Sequence, residues 1–479
     1  MKRRTFIAIT ATVAAGALVG PARLQARNTQ LVRPNIIYIF TDQQSANMMS
    51  CADNKWLKTP AMDYIARNGI RFTRAYTSNP VCCPARISTM TGCFPSAISD
   101  GAGKPVRTNQ GGMGVRQISN AVAQTTLGAC MKRSGYDLIY GGKEHLPGPL
   151  MPARQGFTDI SNNERQPLAD AAANYIRKPH DRPYFMWLNF INPHDICYMA
   201  INGFPETEQE MDRMRGNKAA LAALRRALAL PEGVGEEEFF ARYCPPLPPN
   251  HEPQKDEPRA IGKLLDTGAP WRRKARDSAS ERDWRRHRWA YCRLTEVVDR
   301  QVQTVLDAIK SSGQEEDTLI IFSSDHGDMG AAHRMEHKTA LYEEAANIPL
   351  MAMWKGHIPA GQVDAAHLIS NGLDLLPTVC DYAGVRGRSD PRGRSLRPLF
   401  EGRGAPWRDT LGVESQIGRM VVSDDGYKYI RYDFDGVEEQ LLDLNKDPHE
   451  TTHFTDSPEH KGKLSHLRRA FEEEWFPNR

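Results

Sequence analysis

Three apolar stretches of the chain each run into a cluster of polar side chains, and this arrangement restricts the fold more than any other feature. The stretches are 35–40, 184–190 and 318–322, and their length and composition are typical of fully buried parallel strands. The polar segments after them begin at Thr41, Asn192 and Ser323. Sites of open α/β sheets form beyond the carboxyl ends of the strands. The sequence therefore predicts an α/β fold with one site where these three strands end.

The bulk properties are those of an ordinary globular protein. The chain has 479 residues, enough to bury a large core, and 25% of them are charged. The formal net charge is only +4, so composition gives no argument for a nucleic-acid partner. An anionic substrate would have to be bound by local positive charge. The nine cysteines show no framework-like spacing and no CxxC pair, so they predict neither a disulfide pairing nor a zinc site.

Residues 1–26 have the pattern of an export signal. Arg3 and Arg4 precede an apolar, alanine-rich run from Phe6 to Gly20, which is short and flanked like a signal peptide. We expect a twin-arginine signal cleaved near Ala26, recognised by the twin-arginine export machinery, and a periplasmic or extracellular protein of a bacterium. An uncleaved membrane anchor is the alternative. No later stretch is long and apolar enough to predict a membrane span.

Composition divides the remaining chain into a main domain, 30–404, and a smaller C-terminal subdomain, 405–479. Within the main domain, 207–286 is a highly charged, proline-containing insertion, which we expect to be mostly peripheral. Apolar residues at helical spacing predict a helix over 289–309. The C-terminal part contains short strand-like segments and a terminal helix over about 459–476.

Cys82 begins the pattern Cys-x-Pro-x-Arg, which Arg86 completes and Thr91 and Gly92 follow. Pro84 suits the first position of a helix, so Cys82 is expected just ahead of the positive end of that helix, where an anion is favoured. The pattern resembles the signature of the formylglycine-dependent (type I) sulfatases, members of the alkaline-phosphatase-like superfamily. In that family a maturation enzyme oxidises the first Cys to an aldehyde. The resemblance implies that Cys82 is the modified residue and supplies the nucleophile.

The same resemblance makes the fold class more specific. It implies a large mixed, mostly parallel central sheet flanked by helices, in an alkaline-phosphatase-like α/β fold. It also implies a smaller C-terminal subdomain with a short antiparallel sheet and a helix, since 442–450 matches a recurring family segment.

The resemblance further implies that Asp42, Gln43, Asp325 and His326 hold a divalent cation beside Cys82. In the commonest family pattern Gln43 would be a second Asp and His326 an Asn. The set here is less anionic and softer. Ca²⁺, which prefers hard oxygen ligands, is the first hypothesis, and Mn²⁺ or another transition metal is the alternative.

Four further residues match family positions that bind the sulfate or serve the leaving group. Lys143 and His145 match the second sulfatase signature, whose Lys and His contact the nucleophile and the sulfate. His194 resembles the histidine near the leaving oxygen, a candidate general acid. Lys338 matches the lysine that binds sulfate oxygens.

By family logic, the aldehyde at position 82 hydrates to a geminal diol. One hydroxyl, activated by the metal and Asp325, attacks sulfur, and the other then loses its proton and expels sulfate. Arg86 would hold the hydrated aldehyde in place.

The function implied is a sulfuric ester hydrolase that removes sulfate from a sulfated carbohydrate. A phosphodiesterase or phosphonate monoester hydrolase of the same superfamily is the first alternative, because Gln43 and His326 resemble the metal ligands of such enzymes. A binding protein for sulfated glycans that has lost catalysis is the alternative of another class.

Overall fold

The computed structural model describes residues 33–203, 216–267, 271–387, 390–434 and 436–477. The predicted export signal, 1–26, lies outside these ranges, as do 207–215 and 268–270 of the predicted insertion. Residues 33–479 belong to one compact unit. Within the described ranges we find no helix with the length and apolar character that a membrane span requires.

The strands form a large sheet, a two-stranded sheet and a small C-terminal sheet. They are β1 Asn35–Asp42, β2 Ile70–Phe72, β3 Ala75–Tyr76, β4 Asp137–Gly142, β5 Thr158–Ser161, β6 Tyr184–Pro193, β7 Thr318–Ser324, β8 Leu350–Met353, β9 Gln362–Asp364, β10 Ile369–Ser370, β11 Thr410–Ser415, β12 Gly418–Ser423, β13 Tyr427–Tyr432 and β14 Glu438–Asp443.

The α-helices cover both faces of the large sheet and one face of the small one. They are α1 Pro60–Arg67, α2 Cys82–Thr91, α3 Asn109–Met113, α4 Asn120–Thr125, α5 Leu127–Ser134, α6 Gln166–Ile176, α7 Cys197–Gly203, α8 Lys218–Leu228, α9 Glu236–Glu238, α10 Arg259–Asp266, α11 Trp271–Ser278, α12 Glu281–Ser311, α13 Glu343–Ala346, α14 Asn371–Tyr382, α15 Arg397–Phe400 and α16 Lys461–Trp475.

The large sheet has the order β5-β4-β6-β1-β7-β8-β2-β9. The five strands from β5 to β7 are parallel to their neighbours, and β8 runs antiparallel to β7 and to β2. β1 lies between β6 and β7, so the three predicted strands are adjacent at the centre of the sheet. The predicted mixed, mostly parallel sheet flanked by helices is therefore confirmed.

Side chains of β1 alternate between the two faces of the sheet, as the pleat of a strand requires. Ile36, Tyr38 and Phe40 belong to the core under α2, α5 and α14. Ile37 and Ile39 belong to the opposite core, under α1, α6 and α12. A strand buried on both faces must be apolar throughout, which is why the sequence signal was a continuous run.

The long helix α12 includes the predicted helix 289–309 and extends it by more than a turn towards the N-terminus. Ser280 accepts a hydrogen bond from the backbone N–H of Asp283, whose carboxylate accepts from the N–H of Ser280 in return. This capping box fixes the start of the helix. The apolar spacing therefore located the buried part of α12, while its charged beginning is set by the cap.

The small sheet has the antiparallel order β11-β12-β13-β14, and α16 packs against it through Leu464, Leu467 and Phe471. Its other face shares a core with residues 329–346, the segment that follows β7. The C-terminal sheet and helix expected from the resemblance are confirmed.

Lys428 of β13 is fully buried and connects the small sheet to that segment through two ion pairs. Its Nζ lies 2.6 Å from Glu450 Oε1 and 2.7 Å from Glu343 Oε1, and it donates to the carbonyl oxygen of Leu341 at 3.2 Å. Removing one partner of a buried ion pair leaves the other charge without a counter-charge. The free-energy cost of that unpaired charge exceeds the stabilisation that the intact pair provides.

We expect Lys428→Met to lower the free energy of unfolding by about 3 kcal/mol, because two carboxylates lose their cation. Chemical denaturation measures this. Lys446→Met is the matched control, since Lys446 is half exposed and its ion pair with Glu459 is long, at 3.4 Å. Equal stability of the two variants would contradict the expectation.

Candidate active site

The carboxyl ends of β1 and β7 bring three predicted metal ligands together. Asp42 is the last residue of β1, and Asp325 and His326 directly follow β7. The two strands are parallel and paired in register up to Thr41 and Ser324. The backbone N–H of Asp325 donates to the carbonyl oxygen of Thr41 at 3.2 Å, which continues the pairing beyond β7. Strand pairing therefore sets the separation of the two carboxylates.

The thiol of Cys82 faces this cluster. Its Sγ lies 3.7 Å from Asp42 Oδ1 and 3.1 Å from His326 Nε2. One donor atom from each of Asp42, Cys82, Asp325 and His326 lies within 4.8 Å of the other three, and all four residues are buried. Cys82 and His326 are 244 positions apart in the sequence, so only the fold brings them together.

The helix that carries Cys82 begins earlier than the sequence predicted. Val81 has the extended conformation of an N-cap residue, so α2 starts at Cys82 and Pro84 occupies its third position instead of its first. Pro84 still replaces one of the N–H groups that lack an intrahelical partner. Cys82 lies within the positively polarised first turn, where a negative charge is favoured.

Arg86, one turn further along α2, connects the two carboxylates. Its Nη2 lies 2.9 Å from Asp42 Oδ2 and 3.0 Å from Asp325 Oδ2, while its Nη1 donates to Asn189 Oδ1 at 2.8 Å. The guanidinium is fully buried. Asn189, on β6, is a positioning residue that the sequence analysis missed, because a strand-interior Asn in an apolar run carries no motif.

Lys143 follows the end of β4 and joins the same group. Its Nζ lies 2.7 Å from Asp42 Oδ2 and 4.0 Å from Cys82 Sγ. Gly142, just before it, has a φ of 90°, and a Cβ there would lie 2.1 Å from the carbonyl oxygen of Asn189. Only glycine allows the backbone to turn Lys143 into the site at this close approach.

Lys338 reaches Cys82 from the loop after β7. Its Nζ lies 2.9 Å from Cys82 Sγ and 2.8 Å from Gln43 Oε1. The residues on either side, His337 and Thr339, have positive φ angles of 66° and 90°. Such conformations are costly for residues with a side chain and concentrate at functional sites, where the surrounding structure enforces them.

The Gln43 side chain is held by two residues that the sequence analysis did not select. Its Nε2 donates to Asp328 Oδ2 at 2.6 Å, and its Oε1 accepts from Cys197 Sγ at 3.0 Å as well as from Lys338. Asp328 accepts from the nitrogen end of this amide, which leaves the oxygen end to accept from Cys197 and Lys338. Asp328 follows the recognised Asp325 by three positions, so its place in that polar segment was the available signal.

The two predicted histidines occupy different places. His194 follows β6 and is close enough to Lys143 and Asp42 for each to affect its pKa, and its Nδ1 is buried without a hydrogen-bond partner. Burial, followed by the charge of Lys143, holds the pKa of His194 well below its usual value. His145 is half-buried with a φ of 41°. Among the contacts of the described residues, none joins His145 to Cys82.

Charge governs the ionisation of the two most important groups. Burial opposes ionisation of Asp42, but Lys143, His194 and Arg86 bring the pKa of its carboxyl well below the usual range. Burial and Asp42 oppose the thiolate of Cys82, yet Lys143 and Lys338 lower the pKa of the thiol well below its usual value. The site therefore stabilises negative charge at position 82.

Asp325 behaves differently from Asp42. Burial and the repulsion of Asp42 raise the pKa of Asp325 to about 6, despite the nearby Arg86 and His326. The cations of the protein thus favour ionisation of Asp42 but do not offset the burial of Asp325 beside it. This deficit, together with two carboxylate oxygens and an imidazole nitrogen around Cys82, fits a divalent metal ion at the site.

The sheet is mixed and mostly parallel, and two carboxylates, an imidazole and the cysteine of α2 lie together at the ends of its central strands. This fold and this site define a hydrolase of the alkaline-phosphatase-like superfamily. The family profile for sulfatases matches residues 34–385, and the profile described as N-sulphoglucosamine sulphohydrolase, C-terminal, matches 331–475. The chain therefore belongs to the sulfatase family. The predictions of this family and of an enzyme of the sulfatase type are confirmed.

Relatives resemble the chain over nearly its whole length. It is 26% identical over 469 residues to the Delta 4,5-hexuronate-2-O-sulfatase of Bacteroides thetaiotaomicron. This alignment covers 91% of this chain and 87% of the relative. A solved 2-O GAG sulfatase superimposes with a TM-score of 0.74 at 23% identity over 92% of each chain. The phosphonate monoester hydrolase of Agrobacterium radiobacter superimposes with a TM-score of 0.67 at 22% identity, over 92% of this chain and 95% of that one.

We expect Asp328→Ala to weaken binding of a divalent metal ion by about 10- to 100-fold, because the amide of Gln43 loses the acceptor that orients it. Titration calorimetry on metal-free protein measures the affinity. Asp299→Ala is the control: Asp299 is an equally buried carboxylate that accepts from the N–H groups of Ala61 and Met62, away from the site. It should lose stability and keep its metal affinity, and a similar loss of affinity in both variants would rule out the role given to Asp328.

Proposed function

We propose that this protein hydrolyses sulfate esters of sulfated carbohydrates, with a formylglycine formed from Cys82 as the nucleophile and one divalent metal ion. The observation that carries the proposal is the surroundings of Cys82 Sγ, which has Lys338 Nζ at 2.9 Å, His326 Nε2 at 3.1 Å and Asp42 Oδ1 at 3.7 Å. A buried position 82 among cations and metal-type ligands suits the attack on an anionic ester.

Conversion of Cys82 would change what this position offers without changing its neighbours. The hydrated aldehyde supplies one hydroxyl to attack sulfur and a second whose deprotonation lets the sulfate leave. Arg86 and Lys143 fix the carboxylate of Asp42 beside that position. Asp325, whose pKa of about 6 lies near neutrality, is suited to accept the proton of the attacking hydroxyl.

The metal would be held by Asp42, Gln43, Asp325, His326 and the oxygen of the modified residue 82. When bound, it supplies positive charge for the nucleophile and for the sulfate oxygens. We propose Ca²⁺ because oxygen donors predominate, with Mn²⁺ as the alternative because His326 contributes nitrogen.

The remaining residues would bind the sulfate and protonate the leaving oxygen. Lys338 and Lys143 have Nζ atoms at 2.9 Å and 4.0 Å from Cys82 Sγ, so both can reach sulfate oxygens at that position. Burial, followed by the charge of Lys143, holds the pKa of His194 well below its usual value, and the negative charge of a bound sulfate would raise that pKa. Proton donation to the leaving oxygen is therefore proposed for the substrate complex.

The substrate class rests on the relatives. The Delta 4,5-hexuronate-2-O-sulfatase aligns over 87% of its length, so the catalytic domain and the C-terminal subdomain are both shared. We propose a sulfated saccharide on this basis. We also propose that the protein is exported through the twin-arginine pathway, which carries folded proteins and so permits oxidation of Cys82 in the cytoplasm by a formylglycine-generating enzyme.

We expect the peptide that contains Cys82, isolated from protein made with the maturation enzyme, to have the mass of an aldehyde in place of a thiol. Cys82→Ala should lower kcat by about a thousandfold or more, since the covalent route is lost. Cys83→Ala is the neighbouring control, because Cys83 belongs to the apolar core under α2. An unmodified thiol in fully active protein would contradict the proposal.

One observation favours the alternative function, a phosphonate monoester hydrolase. The predicted metal ligands include Gln43 and His326, where the commonest sulfatase pattern has an Asp and an Asn. Paired kinetics on a sulfate ester and a phosphonate monoester of the same aryl alcohol separate the two functions. We expect the higher kcat/KM for the sulfate, because the family profile for sulfatases matches residues 34–385 of the chain. A clear preference for the phosphonate would reverse the assignment.

A further inference from the structure

A second group of polar side chains lies beside the sulfate site and is not used in the chemistry described above. It comprises Trp271, Arg272, Glu336 and His337, which we call the Arg272 cluster. Trp271 and Arg272 begin α11, in the charged insertion, while Glu336 and His337 immediately precede Lys338. The rings of Trp271 and His337 lie 6.2 Å apart. The insertion and the loop that carries Lys338 therefore meet here.

Arg272 differs from the other arginines of α11. Arg273 pairs with Asp266 at 2.7 Å, and Arg276 forms a two-pronged pair with Glu257 at 2.7 Å on each prong. Among the residues that the structure describes, Arg272 has no ion-pair or hydrogen-bond partner, and its Nε is buried and unsatisfied. Burial lowers the pKa of Arg272 despite the nearby Glu336. An uncompensated guanidinium of this kind is costly unless a ligand pairs with it.

The other members of the cluster do not supply the missing negative charge. Glu336 is 5% exposed, and burial, followed by the repulsion of Asp328, raises the pKa of its carboxyl to about 8. The Nε2 of His337 lies 3.7 Å from Glu336 Oε1 and is buried without a hydrogen-bond partner, as is Nε1 of Trp271. Glu336 Oε1 is also buried without a hydrogen-bond partner. The unsatisfied nitrogen atoms of Arg272, Trp271 and His337 outnumber this oxygen, which suits an anionic ligand.

The cluster adjoins residues that contact Cys82, because Glu336 and His337 directly precede Lys338 in the chain. Cys197, one of the groups near Arg272, donates to Gln43 Oε1 at 3.0 Å, and the same oxygen accepts from Lys338. Lys338 in turn contacts Cys82. Arg272 is partly exposed, whereas Trp271, Glu336 and His337 of the same cluster are buried. The cation of the cluster that solvent can reach therefore lies on the helix that meets the loop carrying Lys338.

We propose that Arg272 binds a second anionic group of the substrate, on the same molecule as the sulfate to be cleaved. The inference rests on the proposed function and narrows its substrate class to saccharides that carry at least two negative charges. A carboxylate of a uronic acid and a second sulfate share the necessary chemistry, since both offer paired oxygens to the fork of a guanidinium. Arg272 is then a specificity-determining residue.

The test compares three disaccharides that share one backbone and one sulfate group. The first has no other charged group, the second also has a carboxylate, and the third has a second sulfate. The readout is the ratio of kcat/KM for each doubly charged substrate to kcat/KM for the singly charged one. We expect wild-type protein to prefer one of the doubly charged substrates, and Arg272→Gln to lower that ratio by about 10- to 100-fold. The preferred arm identifies the anion as carboxylate or sulfate.

Two further variants separate the role of Arg272 from general effects on α11. Arg273→Gln removes a neighbouring arginine that is already paired, so its ratio should equal that of wild type. Arg272→Lys keeps the charge without the fork and should fall between wild type and Arg272→Gln. Equal ratios for Arg272→Gln and Arg273→Gln, or a wild-type protein without preference for either doubly charged substrate, would overturn the inference.

Binding and stability give readouts that do not depend on turnover. In a Cys82→Ala background, calorimetry with the same three saccharides should show the preference and its loss in Arg272→Gln. If wild type hydrolyses none of them, the proposed function fails while this binding measurement still decides the inference. The melting temperature of Arg272→Gln should equal or exceed that of wild type, because a half-buried cation without an ion-pair partner in the described part of the chain is removed. A marked fall would assign Arg272 a structural role instead.

Discussion

The pairing of Arg86 with two carboxylates is the interaction on which the rest of this structure depends. Asp42 and Asp325 come from adjacent strands, are fully buried, and would repel each other without a cation between them. Arg86 comes from a third element, α2, and Asn189 of β6 fixes its other nitrogen. The same guanidinium thus determines how α2 sits on the sheet, and α2 carries Cys82. The position of Cys82 follows from a charge requirement of the sheet.

The charge distribution of the site explains how a nearly neutral protein can bind an anionic ester. Lys143, Lys338 and Arg86 all converge on Asp42 or Cys82, while the formal charge of the entire chain is only +4. Burial and the repulsion of Asp42 nevertheless raise the pKa of Asp325 to about 6. A divalent cation bound there and a singly charged ester carry opposite charges and attract each other. Binding of each is therefore expected to favour binding of the other.

The sequence predicted those parts of the site that depend on local patterns of apolar and polar residues. Continuous apolar runs identified three central strands, and the polar residues after them were brought together because parallel strands end at one edge. The start of α2 was wrong by two residues, because the extended conformation of Val81 sets it. Asp328 and Asn189 were missed because their importance lies in partners far away in sequence. Arg272 stands in a run of similar charges, and only the structure shows which of them lacks a partner.

The small C-terminal sheet belongs to the site as much as the large one does. Lys338 lies in a loop whose next residue, Thr339, donates its N–H to Pro80, two positions before Cys82, and accepts through its carbonyl from Ser415 of β11. Further along, the loop is held by the buried Lys428 of β13. Hydrogen bonds to the segment before Cys82 and to the small sheet thus hold the backbone next to Lys338, where His337 and Thr339 have positive φ angles. This explains why residues 331–475 match a single family profile that begins within the main domain: the loop and the sheet that supports it are one functional unit.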